Sequence, residues 1–143
     1  MKKKIYLASS MNSDRRDEYY FAKKALEAAG FEVYYPVEHC IDHAWDYPNQ
    51  EWGLMVFQND MSAILACDYM VLLSYGRNST AGANWEAGYA FGIGKKVIVV
   101  EMTDEVMSLM VANGRYATVK GLEGLKKYDW ENMPMSRTNT EQK

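Results

Sequence analysis

Residues 69–101, YMVLLSYGRNSTAGANWEAGYAFGIGKKVIVVE, contain the pattern that decides the fold. Residues 69–74 and 97–101 are apolar without alternation, which is typical of strands covered on both faces in a parallel sheet. Between them, a polar turn over residues 76–82 leads into the segment 83–94, which ends on glycine and predicts a helix. The stretch therefore predicts a strand–helix–strand unit with both strands buried.

Strands and helices keep alternating on both sides of this unit. Short apolar runs predict strands at residues 5–8, 31–35 and 116–119, and helices are predicted at about residues 14–29, 51–66, 104–112 and 122–128. This alternation predicts one α/β domain, a doubly wound (Rossmann-like or flavodoxin-like) sheet of about five parallel strands flanked by helices. Such sheets bind ligands at the carboxyl ends of their strands, so we expect the site in the loops at residues 8–13, 75–82 and 101–104.

The sequence predicts one domain with a polar C-terminal tail and one long loop. We assign residues 1–133 to the domain and the polar residues 134–143 to a C-terminal tail. Residues 37–50 are rich in aromatic residues, His, Asp and Pro, and they predict a functional or partner-facing loop.

Composition argues against several classes of protein. The 143 residues carry a formal net charge of −3 and a pI near 5.4, which argues against a nucleic-acid polymer as partner. No stretch approaches the ~18 apolar residues of a membrane-spanning helix, so no membrane partner is expected. Cys40 and Cys67 are isolated, which favours a reducing, cytoplasmic setting. His39 and His43 lack a suitably spaced third ligand, so neither a metal nor a cofactor is predicted.

Three side chains, Glu86, Asp60 and Tyr6, are candidates for chemistry at the carboxyl ends of the strands. Glu86 lies in the first turns of a predicted helix, where free N–H groups and the helix dipole favour an ionised carboxylate; alternatively it only complements that dipole. Asn59 and Asp60 interrupt a helix face that should be buried, because the helix is otherwise apolar, and a buried carboxylate there is either functional or a structural hydrogen-bond acceptor. Tyr6 lies at the end of the first strand, above the same edge, or else simply packs in the core.

Four segments carry a resemblance to a known family. In order they are IYLASSMNSDR (5–15), FQNDMSAILACDYMVLL (57–73), STAGANWEAGYAFGIGKKVIVV (79–100) and SLM (108–110). With them, roughly residues 4–125 of the chain resemble the nucleoside 2-deoxyribosyltransferase family. The resemblance implies that Glu86 is the nucleophilic glutamate, Asp60 the aspartate beside sugar and base, and Tyr6 the tyrosine that orients the nucleophile.

The same resemblance implies an enzyme that acts on a small nucleoside or nucleotide. Glu86 would attack the anomeric carbon through an oxocarbenium-like transition state, and the deoxyribosyl–Glu86 ester would then pass the sugar to another base or to water. Asp60 is the candidate acid for the departing base. The implied substrate-binding residues are Ser10, Asn59, Ser79, Thr80, Gly82, Ser108 and Met110. A homodimer or a larger even-numbered oligomer is also implied, because the segment at Ser108 serves a neighbour's pocket in the family.

Two positions depart from the transferases of that family. Their aspartate six residues before the nucleophile is Thr80 here, and their Asn-Leu-Met segment reads Ser-Leu-Met at residues 108–110. Hydroxyl residues at these places are similar to the deoxynucleoside 5′-monophosphate N-glycosidase branch. In that branch a hydroxyl-lined phosphate site would consist of Ser10, Ser79, Thr80 and Ser108.

The sequence thus leaves three functions open: a deoxyribosyl transferase, a strict deoxynucleoside 5′-monophosphate N-glycosidase, and a nucleotide-binding sensor on the same fold. The hydroxyl residues slightly favour the monophosphate. Against it, the first loop lacks the arginine expected in the N-glycosidase branch, and Arg15, Arg16 and Arg77 are the candidates to replace it.

Overall fold

The computed structural model describes residues 2–10 and 12–136. The strands are β1 (Lys4–Ala8), β2 (Glu32–Tyr34), β3 (Tyr69–Ser74), β4 (Lys96–Glu101) and β5 (Ala117–Lys120). The α-helices are α1 (Arg16–Ala28), α2 (Asn49–Ala66), α3 (Ala81–Gly92), α4 (Leu109–Gly114) and α5 (Gly121–Lys127). Strands and helices therefore alternate along the chain as the apolar pattern predicts.

The strands form one parallel sheet in the order β2-β1-β3-β4-β5. Successive side chains of a strand point to opposite faces. Leu7 and Val71 pack on the face covered by α1 and α5, whereas Tyr6 and Met70 pack on the face covered by α2, α3 and α4. The predicted doubly wound α/β sheet is confirmed, and both faces of its central strands are buried.

Helix α3 and helix α4 begin where a hydroxyl side chain caps them. Thr80 Oγ1 accepts the backbone N–H of Ala83 at 3.4 Å, so α3 begins at Ala81. Ser108 Oγ accepts the backbone N–H of Val111 at 3.2 Å, so α4 begins at Leu109. The helix predicted over residues 104–112 is therefore wrong at its start.

A glycine brings the loop after β3 close to the loop after β4. Gly76 has φ +61°, and a Cβ at this position would lie 2.7 Å from the carbonyl oxygen of Glu105. Only glycine fits this close approach without a shift of the backbone. The loop that leads into α3 therefore lies directly against the loop after β4.

Helix α2 is apolar but is poorly covered. Among its residues only Ile64 is buried, while Trp52, Leu54 and Leu65 are exposed. Asn59 is also exposed, so the prediction that it interrupts a buried face is wrong, because neighbouring helix residues point about 100° apart. No helix among the described residues has the length and apolarity needed to cross a bilayer.

The segments outside the main elements lie near the two outer strands, β2 and β5. Residues 35–48 are irregular except for two 3-10 turns, Pro36–Glu38 and Ala44–Asp46. At the other edge, the backbone N–H of Thr118 donates to the carbonyl oxygen of Ser136 at 2.7 Å, so the start of the predicted tail pairs beside β5. Residues 137–143 of that tail lie outside the described residues, and the domain limit at residue 133 stays a prediction.

Candidate active site

The catalytic candidates meet where the strand order reverses. The connection from β1 runs to β2 on one side and the connection from β3 runs to β4 on the other, which opens a crevice at the carboxyl ends of β1 and β3. Tyr6 lies on β1, Glu86 on α3 and Asp60 on α2. Three elements that are distant in sequence thus deliver their side chains to one place.

A cavity of about 390 Å³ opens at this crevice. Its wall consists of Ser9, Gly53, Val56, Phe57, Asp60, Met61, Thr80, Gly82, Ala83, Trp85 and Glu86. Four of these, Asp60, Thr80, Gly82 and Glu86, are residues that the sequence singles out. The cavity joins two carboxylates to the first residues of α3.

Glu86 is held by a buried tyrosine. The Tyr6 hydroxyl, fully buried, donates a hydrogen bond to Oε2 of Glu86. Burial raises the pKa of the Glu86 carboxyl to about 7; the Tyr6 hydrogen bond lowers it and the nearby Asp60 raises it. Burial also raises the pKa of Tyr6, so its hydroxyl stays a donor.

The expectation that the helix start keeps Glu86 ionised is therefore wrong. Glu86 is the sixth residue of α3, beyond the first turn where the helix dipole acts. The loss of water around the carboxylate is the larger effect. Near neutral pH, a substantial fraction of this carboxyl is protonated.

Asp60 is half-buried and contacts a second tyrosine. The Tyr34 hydroxyl donates to Oδ1 of Asp60 at 3.5 Å, the long limit of a hydrogen bond. Burial raises the pKa of the Asp60 carboxyl, while Tyr34, His39 and Tyr6 lower it. Asp60 therefore has a weaker donor than Glu86.

Seven wall residues were not predicted from the sequence, and three of them have polar or aromatic side chains: Ser9, Phe57 and Trp85. Ser9 follows β1 directly and is buried, and its hydroxyl makes no hydrogen bond of good geometry within the described residues. Phe57 precedes Asp60 by one helical turn and Trp85 precedes Glu86, and their rings lie 5.7 Å apart between centroids. Phe57 is 48% exposed and Trp85 55%. The i, i+3 spacing of Phe57 and Asp60 is the signal that would have placed this ring beside the acid.

The four predicted phosphate-binding hydroxyls are not gathered in one cluster. Ser10 Oγ accepts the N–H of Asn12 at 3.3 Å, and Ser79 Oγ accepts the N–H of Tyr75 at 2.7 Å. Thr80 and Ser108 cap helices, as described above. Only Thr80 of the four lines the cavity beside Glu86.

The remaining predicted contacts line two other cavities. Ser108 and Met110 line an apolar cavity of about 340 Å³ between α3 and α4, where Met110 is 84% exposed. Asn59 lines an open cavity on the β2 side of α2, together with Tyr34 and His39. None of these three residues lines the cavity of Glu86.

No cationic side chain lines the Glu86 cavity within the described part of the chain. The Arg15 guanidinium lies over the Tyr75 ring at 3.9 Å and donates to the carbonyl oxygen of Asn78 at 2.7 Å. It thereby holds the loop after β3 in place. Arg16 and Arg77 are exposed and absent from the cavity wall.

The two histidines lie apart from any cluster of metal ligands. His39 stacks on Tyr34, and His43 contacts Trp45 in the irregular segment. Across residues 2–10 and 12–136, no group of three or more His, Cys, Asp or Glu side chains is placed to hold a metal ion.

Comparison with known proteins gives one family and a set of similar structures. The family model of nucleoside 2-deoxyribosyltransferase matches residues 5–130. A 2-deoxyribosyltransferase from the psychrotolerant bacterium Bacillus psychrosaccharolyticus has a similar structure, with a TM-score of 0.85 and 27% sequence identity over 93% of this chain and 97% of that chain. Curated protein sequences gave no match.

Two further solved structures are similar in fold. A conserved protein from Enterococcus faecalis V583 has a TM-score of 0.62 and 18% identity over 96% of this chain and 91% of its own. A CMP N-glycosidase from Clostridium botulinum has a TM-score of 0.61 and 23% identity over 87% of this chain and 96% of its own. At these identities the likeness concerns the fold alone.

Proposed function

The chain belongs to the nucleoside 2-deoxyribosyltransferase family, and we propose that it cleaves the N-glycosidic bond of 2′-deoxyribonucleosides with Glu86 as the nucleophile. The observation that carries the proposal is the Glu86 carboxylate, held by the Tyr6 hydroxyl in a cavity that also contains Asp60. A retaining mechanism needs a nucleophile of this kind with an acid close to the leaving group.

The proposed reaction has two steps. In the first, a carboxylate oxygen of Glu86 bonds to the anomeric carbon as the bond to the base nitrogen breaks, and Asp60 gives its proton to the departing base. In the second, another base or water attacks the same carbon and Glu86 leaves, while the acceptor's proton passes to Asp60. The reaction requires Glu86 ionised and Asp60 protonated at the start.

Burial affects the titration of both carboxyls. Burial raises the pKa of both, to about 7 for Glu86. The charge on Asp60 further raises the pKa of Glu86, so the two groups share protons as a coupled pair. The charge of Asp60 that raises the pKa of Glu86 places the shared proton on Glu86 at rest, so the proposed reaction starts from the form in which that proton lies on Asp60.

Two aromatic rings in the cavity support a nucleobase as the leaving group. Phe57 and Trp85 present half-exposed faces at the same wall as Asp60 and Glu86. Planar apolar rings beside a few polar groups suit a flat heterocycle. We propose that the base packs on these rings with its nitrogen toward Asp60.

The cavity wall favours an unphosphorylated substrate. It contains two carboxylates and, among the described residues, no Lys or Arg to offset the charge of a 5′-phosphate. We therefore propose the free deoxynucleoside as substrate and transfer between bases as the reaction.

The second candidate, hydrolysis of a 5′-monophosphate, has one observation in its favour. The start of α3 and the buried Ser9 hydroxyl face the cavity, and such groups can hold an anion. The assay below distinguishes this hydrolysis from transfer between bases. A nucleotide-binding sensor would show neither transfer nor hydrolysis.

We also propose a homodimer or a larger even-numbered oligomer in the cytoplasm. The helices on the site's side of the sheet leave large apolar side chains uncovered, and such patches mark interfaces between proteins. Outside the cavity of Glu86, these exposed side chains are Trp52, Leu54, Leu65, Phe91, Leu109 and Met110. By the family resemblance, the segment of Ser108 would then reach a neighbour's cavity.

One set of assays tests the proposed function. The protein is incubated with a deoxynucleoside plus a different free base, and separately with a deoxynucleoside 5′-monophosphate, and products are separated by chromatography. A 2′-fluoro-2′-deoxynucleoside should leave a sugar adduct on the peptide that contains Glu86. The Glu123→Gln variant, an exposed carboxylate on α5, is the matched control for Glu86→Gln. An adduct on another residue, or full turnover by Glu86→Gln, overturns the assignment.

A further inference from the structure

A series of stacked rings links the irregular segment after β2 to the proposed nucleophile. Parallel pairing of β1 with β2 places Tyr6 beside Tyr34, and their rings stack with centroids 5.3 Å apart and 14° between planes. His39, after the 3-10 turn that follows β2, stacks on Tyr34 at 4.2 Å and 7°. The preceding residue, Glu38, is fixed by Lys23 of α1 at 2.7 Å. The Tyr34 ring is thus held by two stacked neighbours.

Each tyrosine of the stacked pair donates to a different carboxylate. The Tyr6 hydroxyl donates to Glu86, and the Tyr34 hydroxyl donates to Asp60. The sheet register therefore fixes the two donors relative to each other. Because the donors are fixed, the two carboxylates that they hold are also fixed relative to each other.

We propose that Tyr34 is a positioning residue that orients the Asp60 carboxylate toward the departing base, with His39 supporting its ring. The inference rests on the proposed function, because it takes Asp60 to be the acid of the first step. It assigns a role to a residue of the edge strand and to the segment at residues 37–50.

The Asp60 carboxylate needs such a partner because few other groups fix it. Asp60 is only half-buried on α2, and the hydrogen bonds that lower its pKa come from the hydroxyls of Tyr34 and Tyr6. The titratable groups that act on it are Tyr34 of β2, Tyr6 of β1, His39 after β2 and Glu86 of α3. Of these, Tyr34 is the donor whose removal leaves the nucleophile's own hydrogen bond in place.

The test compares two substrates that differ in their need for an acid. An ordinary purine deoxynucleoside needs its base protonated as the bond breaks, whereas a 7-methylpurine deoxynucleoside already carries a cationic base that leaves as a neutral molecule. Tyr34→Phe removes the hydroxyl and keeps the stacked ring. We expect its kcat to fall about tenfold on the ordinary substrate with little change in KM, and to change less than about twofold on the methylated one.

The pH profile and two further variants separate positioning from simple packing. Without the Tyr34 hydroxyl the Asp60 carboxyl holds its proton more tightly, so the pH profile of kcat/KM moves up by about half to one unit. His39→Phe keeps a flat ring on Tyr34 and should retain most of the activity, whereas His39→Ala should lose part of it. Tyr20→Phe, an exposed tyrosine on α1, is the matched control.

Specific outcomes overturn the inference. An equal loss on both substrates means that Tyr34 only supports the fold, and unchanged kcat and pH profile in Tyr34→Phe mean that Asp60 needs no such donor. If the wild-type protein cleaves neither substrate, the proposed function fails. That result is distinguishable, because the Tyr34 inference is judged on ratios between variants of an active enzyme.

Discussion

Replacing Glu86 by glutamine should stabilise the protein at neutral pH while it abolishes turnover. Burial raises the pKa of this carboxyl from its ordinary value of 4.5 to about 7, so the folded protein opposes an ionisation that the unfolded chain permits. At roughly 1.4 kcal/mol for each pKa unit, the ionised side chain costs the folded state up to about 3 kcal/mol. The neutral amide of Glu86→Gln removes that cost and still accepts the Tyr6 hydrogen bond.

The pH dependence distinguishes this cause from others. A carboxyl with a raised folded pKa contributes stability while it is protonated, and that contribution is lost as the pH rises through the folded value. The gain from Glu86→Gln should therefore be absent at pH 4.5, grow between pH 4.5 and 7, and be complete above pH 7. The control Glu123→Gln, exposed on α5, should show no such trend.

Thermal unfolding at several pH values measures the effect. For a chain of this size, a gain of about 1 to 3 kcal/mol raises Tm by roughly 3 to 10 °C. We expect that rise at pH 8 and none at pH 4.5, with loss of turnover at every pH. A rise that is equal at all pH values, or a lower Tm at pH 8, would show that burial does not raise the pKa of Glu86.

Three further predictions concern the hydrogen bond from Tyr6, the position of the nucleobase and the oligomeric state. Tyr6→Phe removes the hydrogen bond that lowers the pKa of Glu86, so the acid limb of the kcat/KM profile should move up by about one unit; an unmoved limb contradicts the role of Tyr6. Trp85→Ala should raise KM for the nucleoside about tenfold with little change in kcat, and an unchanged KM places the base elsewhere. Leu109→Glu puts a charge into the exposed apolar patch and should shift sedimentation toward the monomer, whereas a wild-type protein that is monomeric and fully active excludes the oligomer.

The sheet and the place of Glu86 at the carboxyl ends of its strands were predictable from the sequence pattern, whereas Asp60 was assigned to the same site through the family resemblance. Residues 70–74 are buried throughout, so the run without alternation could only fit a strand covered on both faces. Glu86 follows β3 by one loop, and ligand sites of doubly wound sheets lie at that edge. Both predictions rest on local features of the sequence: an apolar run that forms a buried strand and the loop that follows it.

The other contacts of the site could not be predicted from the sequence, because they depend on the rotation of α2 and on the pairing of β1 with β2. Asn59 and Asp60 are adjacent in sequence, yet one turns to an open cavity and the other to the nucleophile, since α2 rotates by about 100° per residue. Tyr34 joins Asp60 only through the pairing of β2 with β1, which no sequence pattern around either residue reveals. Ser10 has the residue type of an anion ligand but accepts a local backbone N–H instead.

The choice of donors around the two carboxylates fits the proposed chemistry better than an ion pair would. A Lys or Arg between them would lower the pKa of both, and Asp60 would then lose the proton that the departing base needs. Tyr6 and Tyr34 are neutral donors, so they orient Glu86 and Asp60 while burial continues to raise both pKa values. The hydrogen bond from Tyr6 lowers the pKa of Glu86 and the one from Tyr34 lowers the pKa of Asp60, so each tyrosine offsets part of the effect of burial on its carboxyl. Two neutral donors therefore hold a nucleophile and an acid in place without removing the proton that the two carboxyls must exchange.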